Sequence, residues 1–237
     1  MYKRVLIKLS GEALAGDKTS GILDPNSLSN IAQVIKEIAE LGTQVCVVIG
    51  AGNICRGSIM EGSGIERVTG DKMGMLGTII NSFALANSLQ NIQQNAVVLS
   101  AIPLGDFAEE FSEKLADKYL QEGRVVVFGG GTGKPFFTTD TCATLRAIQT
   151  KCDAILIGKN NVDGIYSDNP LTNPEAYMFK EITCSEILAR GLKVMDASAV
   201  EMLKDQDIDV RVFNMAHPEN FLKVAKMEDI GTTIKRG

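Results

Sequence analysis

Short apolar runs alternate with amphipathic helical segments along most of this chain, and this order constrains the fold more than any other feature. The runs lack the polar alternation of a half-exposed strand, which is typical of strands buried on both faces of a parallel sheet. The strand–helix–strand order implies βαβ units with right-handed crossovers. The predicted strands are residues 3–8, 45–49, 96–100, 124–128 and 154–157, and the predicted helices are residues 25–41, 71–93, 106–120 and 140–150.

The pattern changes after residue 157. Residues 159–170 contain too many turn-forming residues for regular structure. Further helices are predicted over residues 183–190, over about ten residues after Asp196, and over residues 219–226. Residues 208–213 alternate apolar and polar side chains, which predicts a strand with one solvent-exposed face, and a last strand is expected near residues 232–234. No linker or repeat divides the chain, so one domain over residues 1–237 is expected.

Composition excludes several classes of function. The net charge is −5, which argues against nucleic acid as the main partner because such proteins usually carry a basic face. No apolar run reaches the 18 or more residues of a membrane helix, and the N-terminus enters a strand without a signal peptide, so a cytoplasmic protein is expected. The five cysteines form no C-x-x-C pair and His217 is the single histidine, which disfavours a zinc site and histidine-based catalysis.

A glycine-rich segment over residues 129–140 points to phosphate. It follows the apolar run 125–128 and leads into a predicted helix. Glycines let backbone N–H groups approach an anion, and a helix start adds unpaired donors and partial positive charge. Thr138, Thr139 and Asp140 add polar side chains. The alternative is a plain strand-to-helix turn capped by Thr139 or Asp140. Pro135 follows Gly133-Lys134, so the segment is not a P-loop.

Polar residues follow other predicted strands in the same way. Lys8 ends the first apolar run, either as an edge lysine or as a cation pointing into a site at the carboxyl end of the strand. The second run leads into Gly50-Ala-Gly-Asn53, with Arg56 three residues beyond. Asp71 could cap a long helix or accept hydrogen bonds from ribose hydroxyls. Tyr166 could line an adenine pocket or simply pack at a rim.

These motifs together resemble the amino acid kinase superfamily and, within it, the bacterial uridylate kinase family. The resemblance rests on residues 8–14 (KLSGEAL), on 50–56 (GAGNICR) and on 131–140 (GTGKPFFTTD). Further matches are DKMGM at residues 71–75, VDGIY at 162–166, KVMD at 193–196 and VFNM at 212–215. They cover almost the whole chain in the expected order, and the PFFTTD sequence is the most specific.

The resemblance implies a fold and an activity. The fold would be a three-layer αβα sandwich around a mainly parallel sheet of about eight strands. The activity would be transfer of the ATP γ-phosphoryl group to UMP with Mg²⁺, giving UDP and ADP in pyrimidine nucleotide synthesis. The part of the chain before about residue 150 would bind UMP and the later part ATP. A cytoplasmic homohexamer, activation by GTP and inhibition by UTP are also implied, with neither nucleic acid nor membrane as partner.

The resemblance also assigns residues. Lys8, Arg56, Asp140 and Asp196 would be catalytic, and Asp140 could also hold the metal. The ATP site would contain Lys8, Leu9, Ser10, Gly11, Gly52, Arg56, Asn160 and Tyr166. The UMP site would contain Ala51, Asp71, Thr132, Gly133, Lys134, Pro135, Phe136, Phe137, Thr138 and Thr139. The GTP segment would contain Gly16, Asp17, Lys18, Thr19, Ser20 and Gly21.

Three positions depart from the family pattern. Ala51 replaces a glycine and still offers its N–H if its φ is negative. Lys134 stands where asparagine is common and could add a cation beside the acceptor. Asn169 replaces the usual aspartate before Pro170, and Asp168 could substitute for it.

Two other functions remain compatible with the motifs. A nucleotide-sensing protein could keep the pocket without catalysis, because a fold does not fix a function. Lys8, Arg56 and Asp140 together argue against it. A kinase of carbamate or of an amino acid is the other alternative, and Asp71 and the Phe136-Phe-Thr-Thr139 sequence argue against that.

Overall fold

The computed structural model describes residues 1–15, 21–55, 63–160 and 162–237. Within these ranges the strands are β1 Arg4–Leu9, β2 Gln44–Ile49, β3 Ala96–Ser100, β4 Glu109–Glu110, β5 Val125–Gly129, β6 Ala154–Lys159, β7 Glu181–Thr183, β8 Asp209–Asn214 and β9 Thr232–Lys235. The α-helices are α1 Pro25–Glu40, α2 Arg67–Asn91, α3 Glu113–Gln121, α4 Thr139–Gln149, α5 Cys184–Arg190, α6 Ala197–Leu203 and α7 Glu219–Ala225.

All of these strands belong to one sheet with the order β4-β3-β5-β2-β1-β6-β8-β9-β7. Every neighbouring pair is parallel except β8 and β9, so the prediction of a mainly parallel sheet is confirmed. The described residues form nine strands where about eight were expected. The carboxyl ends of β5, β2, β1 and β6 lie side by side in the middle of the sheet, which is where α/β sheets bind ligands.

Each face of the sheet is covered by helices. Successive side chains of a strand point to opposite faces, so Val5 and Ile7 face one layer and Leu6 the other. The first layer contains buried residues of α1, α2 and α7, and the second contains buried residues of α3, α4, α5 and α6. The predicted three-layer αβα arrangement is therefore confirmed.

The long helix α2 differs from its prediction. It begins at Arg67 with Glu66 at the N-cap, so Asp71 lies inside the helix and does not cap it. Helical spacing predicts that Met73, Leu76, Ile80, Phe83 and Leu89 face the core, but only Leu89 is buried and the other four are exposed. The buried side contains Ile79 and Leu85 as well as the small residues Gly77, Thr78 and Ser82. The helix packs closely on β5, because a Cβ added to Gly129 would lie 3.2 Å from Ile79 Cγ1.

Two further predictions were wrong in detail. Residues 106–112 do not belong to the predicted helix 106–120, because Ser112 caps a helix that begins at Glu113, its Oγ accepting from Leu115 N at 3.2 Å. The strand β8 is buried on both faces, although one solvent-exposed face was expected. Arg211 is only 5% exposed, and its Nη2 donates to the carbonyls of Glu228 and Ile230 at 2.7 and 3.2 Å. The polar position in the alternating pattern is thus a buried arginine.

The start of α1 agrees with the helix predicted from residue 25. Asp24 caps α1, its Oδ2 accepting from Ser27 N at 2.7 Å, and Pro25 follows at the first helical position. Cys46, Cys142, Cys152 and Cys184 are buried free thiols, and Cys55 is a half-buried one. None of the helices in the described ranges is both long enough and apolar enough to span a membrane.

Candidate active site

The turns that follow β1 and β2 fit closely against each other. A Cβ added to Gly11 would lie 2.3 Å from Asn53 Oδ1 and 2.5 Å from the Gly50 carbonyl oxygen, so only glycine fits there. Asn81 of α2 is fully buried, donates to the Gly50 oxygen at 2.8 Å and exchanges amide hydrogen bonds with Asn53. Sequence reasoning missed Asn81, although an amide inside a helix that packs on the sheet is a usable signal.

The residues after β1 form a short turn at the carboxyl end of that strand. Ser10 caps a short 3₁₀ turn over Gly11–Leu14, its Oγ accepting from Glu12 N at 3.3 Å. The Leu9 side chain is buried in the core, so any ligand contact at Leu9 must come from its backbone. Ala51, the first departure from the family pattern, is not among the residues with positive φ, as its N–H requires. Its methyl group has room because residue 77 is glycine. A Cβ added to Gly77 would lie only 2.8 Å from the Ala51 Cβ.

Lys8 and Asp140 form an ion pair beneath these turns. Lys8 Nζ lies 2.8 Å from Asp140 Oδ1, and both side chains are largely buried, at 16% and 17% exposure. Asp140 stands in the first turn of α4, where a carboxylate is favoured by the helix dipole. Lys8 is therefore a largely buried, paired lysine on a central strand, and the alternative of a solvated edge lysine is wrong.

The glycine loop, residues 129–137, runs from β5 toward α4. Gly130, Gly131 and Gly133 have φ values of +79°, +58° and +76°. A Cβ on Gly133 would also lie 2.9 Å from the Ala101 carbonyl oxygen. The N-cap of α4 is Thr138, one residue before the two candidates predicted, and its Oγ1 accepts from Thr141 N at 3.3 Å.

Asp71 connects α2 with the glycine loop. Its Oδ2 accepts from Phe136 N at 2.7 Å, and both of its oxygens accept from Arg67 Nε at 2.9 and 3.0 Å. Phe136 has a φ of +70°, which is uncommon for a bulky residue and recurs at functional sites. The carboxylate thus holds the strained end of the loop over the start of the helix.

A first cavity of about 290 Å³ lies between α2, the glycine loop and the turn after β2. It is lined by most of the residues predicted for UMP, namely Ala51, Asp71, Thr132, Lys134, Phe137, Thr138 and Thr139. Gly133, Pro135 and Phe136 belong to the same loop but do not line the cavity, and Phe136 is exposed. Arg67, Met75 and Thr78 line it without having been predicted.

Asp196 lies on the other side of α4. It occupies the N-cap position of α6, in agreement with the helix predicted after Asp196, but its side chain makes no capping bond there. Its Oδ2 instead accepts a hydrogen bond from Thr138 Oγ1, which connects the starts of α4 and α6. A second cavity, of about 500 Å³, is lined by Asp140, Lys159 and Asp196 together with residues 187–197.

Tyr166 lines a third cavity of about 680 Å³ next to the second. Val162, Ile165 and Val212 give it apolar surface, and Asp168 and Asn169 line it as well. Asn160 is exposed at the end of β6 and does not line this cavity. Both carboxylate oxygens of Asp168 are engaged inside its own loop, accepting from Asn169 N at 2.7 Å and from Asn173 Nδ2 at 2.9 Å.

Several predicted residues fall outside the described ranges. They are Arg56 and, in the predicted GTP segment, Gly16, Asp17, Lys18, Thr19 and Ser20. Gly21, the last residue of that segment, is described and has a φ of +81°.

Known proteins share this arrangement. The profile described as "Amino acid kinase family" matches residues 3–214 of this sequence. The chain belongs to the amino acid kinase family. A uridylate kinase of Pseudoalteromonas atlantica is 46% identical over 233 residues, which are 98% of this chain and 94% of that relative. Among solved structures of the family, UMP kinase from Bacillus anthracis superposes with a TM-score of 0.95 at 40% identity, covering 99% of this chain and 96% of that one. UMP kinase from Ureaplasma parvum gives 0.94 at 37% identity and covers both chains fully.

Proposed function

We propose that this amino acid kinase is a uridylate kinase, which transfers the γ-phosphoryl group of ATP to UMP and yields UDP and ADP. The observation that carries the proposal is the buried Lys8–Asp140 pair between cavities of different character. Asp140 lines the second cavity, and the adjacent Thr139 lines the first. A cation at this junction is where a phosphoryl group would pass from one nucleotide to the other. The names of the relatives, at 46% identity over nearly the whole chain, support the same substrates.

The reaction needs charge neutralisation more than proton transfer. An oxygen of the UMP phosphate attacks the γ-phosphorus of ATP, a P–O bond forms, and the bond from that phosphorus to the β–γ bridging oxygen breaks, which releases ADP. The attacking oxygen is already anionic near neutral pH, so no general base is required. Lys8 neutralises charge on the transferring group, and Asp140 holds Lys8 in place. Arg56, outside the described residues, is proposed from the family resemblance as a second cation.

UMP occupies the first cavity in this proposal. Asp71 accepts from the ribose hydroxyls, while Thr132, Thr138 and Thr139 line the space for the uracil and phosphate. Lys134 lines the same cavity and adds a positive charge that compensates the acceptor phosphate. Ala51 faces UMP from the turn after β2.

ATP occupies the second and third cavities. Tyr166 and its apolar neighbours pack against the adenine, and the phosphates run toward Lys8. Ser10, Gly11 and Gly52 belong to the turns that border the reacting phosphates, with backbone N–H groups as donors. Asn160, at the exposed end of β6, is retained as an adenine contact on the family resemblance alone.

Mg²⁺ fits the carboxylates at this junction. Asp140 Oδ1 is buried and makes no well-aligned hydrogen bond in addition to its ion pair, and Asp196 lines the same cavity. The described residues contain no cluster of three or more protein ligands, which suits a cation that takes one or two carboxylates and completes its shell with phosphate and water. Bound Mg²⁺ would supply charge neutralisation to the donor phosphates.

The exposed apolar side of α2 supports a homo-oligomer, which the family resemblance specifies as a hexamer. Leu76 and Ile80 are 52% and 48% exposed, and Met73 and Phe83 lie on the same side of the helix. Phe107, beside the edge strand β4, is 82% exposed. Exposed apolar patches of this kind mark interfaces. A cytoplasmic location, activation by GTP and inhibition by UTP are proposed on the resemblance.

One assay tests the proposal. ADP release would be followed with ATP and Mg²⁺ while UMP, CMP, dCMP, aspartate, glutamate and carbamate are offered in parallel. Strong turnover with UMP alone is expected. Turnover with another acceptor would keep the phosphotransferase and overturn the uridine assignment. No turnover with any acceptor, together with tight nucleotide binding, would favour a nucleotide sensor.

A further inference from the structure

Lys159 is a half-buried lysine that the reaction described above does not use. It ends β6, the strand beside β1, and Lys8 pairs in register with Ile157, two residues before it. The two lysines therefore leave the carboxyl ends of adjacent parallel strands toward the same region. Sequence reasoning read Lys159 only as the start of a turn-rich segment, although its place at a strand end repeats that of Lys8.

The ammonium group of Lys159 is held in place and is not neutralised by a carboxylate. Its Nζ donates to the Val194 carbonyl oxygen at 2.9 Å. Within the described residues no carboxylate oxygen lies within 4.0 Å of it, whereas Lys8 is paired with Asp140 at 2.8 Å. An ammonium group has three donors, so two remain for a ligand.

The charged residues at the proposed reaction centre also act on Lys159. Burial lowers the pKa of Lys159, the positive charge of Lys8 lowers it further, and the carboxylates of Asp140 and Asp196 raise it. The pKa of Lys159 is lowered overall, so the two carboxylates compensate its charge only in part. An anion bound beside Lys159 would complete that compensation.

Lys159 also lies between the two donor cavities. It lines the second cavity together with Asp140 and Asp196, and the third together with Tyr166. A nucleotide with its base in the third cavity and its γ-phosphate at Lys8 must pass this lysine. Lys193 lines both cavities too, but its side chain is exposed and makes no hydrogen bond or ion pair with any of the described residues.

We propose that Lys159 binds the phosphates of the donor nucleotide that leave with ADP, a role that rests on the proposed kinase function. Its two free donors contact non-bridging oxygens on the ADP side of the breaking bond. Negative charge builds on those oxygens as the bond to the γ-phosphorus breaks. Lys159 therefore strengthens ATP binding and also stabilises the leaving group.

The test compares Lys159→Met with wild type in binding and in turnover. Equilibrium binding of adenosine, ADP and ATP would be measured by displacement of a fluorescent ATP analogue, without UMP. In Lys159→Met the affinities for ADP and ATP are expected to fall about 10- to 100-fold, the weight of one or two charge-assisted hydrogen bonds, while adenosine binding is unchanged. The value of kcat with UMP should fall as well, and Lys159→Arg should restore much of both losses.

The control is Lys180→Met, which removes an exposed lysine paired with Asp229 at 3.1 Å on the surface and should bind all three ligands as wild type does. A purely structural role for Lys159 through Val194 predicts equal losses for adenosine and ATP, and that result would overturn the proposal. Unchanged ATP affinity in Lys159→Met would overturn it too. Failure of the kinase assignment is seen separately, because wild-type protein would then not phosphorylate UMP.

Discussion

At the scale of single residues, the proposed function gives the Lys8–Asp140 pair the largest role in turnover. Lys8→Met removes the cation beside the transferring group, and kcat is expected to fall by about 100-fold or more. The buried Asp140 would then lack its partner at 2.8 Å, so some loss of stability is expected as well. Steady-state kinetics and thermal unfolding would separate the two effects. Lys3→Met, at an exposed position on the same segment, is the matched control.

A near-normal kcat in Lys8→Met would contradict the assignment. The double variant Lys8→Met, Asp140→Asn removes the unpaired buried charge and should regain stability without regaining activity. Recovery of activity in the double variant would mean that Lys8 serves only to neutralise Asp140.

Two cysteines that line the first cavity differ in solvent exposure and can be used as chemical probes of it. Cys55 and Cys142 both line it, but Cys55 is half-buried while Cys142 is 2% exposed. Burial raises the pKa of the Cys142 thiol to about 11, so at neutral pH it remains protonated and reacts slowly. Alkylation of the native protein, followed by mass spectrometry of peptides, should therefore modify Cys55 first. UMP is expected to slow that reaction, since both would occupy the same space.

The Cys55→Ser variant supplies the control, because it should lose the UMP-protected alkylation and keep its fold. If UMP left the Cys55 rate unchanged while turnover with UMP was intact, the acceptor would bind elsewhere. ATP without UMP should protect Cys55 much less, which distinguishes the first cavity from the other two.

At the scale of elements, Arg146 connects α4 to the glycine loop by a hydrogen bond. This arginine is 4% exposed, donates from Nη2 to the Gly131 carbonyl oxygen at 3.3 Å, and lies over the Phe111 ring with 3.9 Å between its Cζ and the ring centroid. Burial lowers its pKa. The guanidinium thus joins the loop, the helix and the edge of the sheet near β4.

Arg146→Met should keep the apolar contact with Phe111 and lose the hydrogen bond to the loop. The Michaelis constant for UMP is expected to rise about tenfold, and the free energy of unfolding to fall by about 1–3 kcal/mol. The Michaelis constant for ATP should change little, because Gly131 borders the first cavity. Arg146→Lys keeps a charge but cannot reproduce the planar contact with Phe111 and should resemble Arg146→Met. Equal effects on both substrates would mean that Arg146 supports the fold and not the loop.

Elements of strong local character were predictable from the sequence. The apolar runs of β1, β2, β5 and β6 have no other stable place than a covered parallel sheet. Asp24 and Pro25 marked the start of α1 through capping chemistry that acts over a few residues. Most of the residues that the motifs predicted for UMP line the first cavity.

Features that depend on distant contacts were not predictable. On α2 the spacing of apolar residues selected Met73, Leu76, Ile80 and Phe83, which are exposed, because the buried side also contains polar residues such as Thr78 and Asn81. The alternating pattern predicted that Arg211 is solvent-exposed. The carbonyl groups that accept its hydrogen bonds lie 17 and 19 residues further along the chain, so the local sequence does not reveal them. The proposed role of Lys159 depends on its closeness to Lys8. The two residues are distant in sequence and are brought together only by the pairing of β1 with β6.

At the scale of the whole molecule, the same α2 that holds the site also carries an exposed apolar surface. Asp71 and Asn81 face the site, whereas Leu76 and Ile80 point outward. A helix that forms a subunit contact on one side and a substrate cavity on the other couples the two, because a shift of the helix moves both. Assembly of the oligomer is therefore expected to affect UMP binding.

The variants Leu76→Lys and Ile80→Lys test this coupling. Each places a charge on a surface that is apolar in the free subunit, and desolvating that charge opposes association. Light scattering should show smaller particles than for wild type, with the circular dichroism spectrum unchanged, because neither side chain lies in the core. The Michaelis constant for UMP should rise in the smaller species. Gln33→Lys, on the exposed surface of α1, should leave the mass unchanged. A wild-type protein that is monomeric at micromolar concentration would refute the role of this surface, and smaller particles with normal UMP kinetics would refute the coupling.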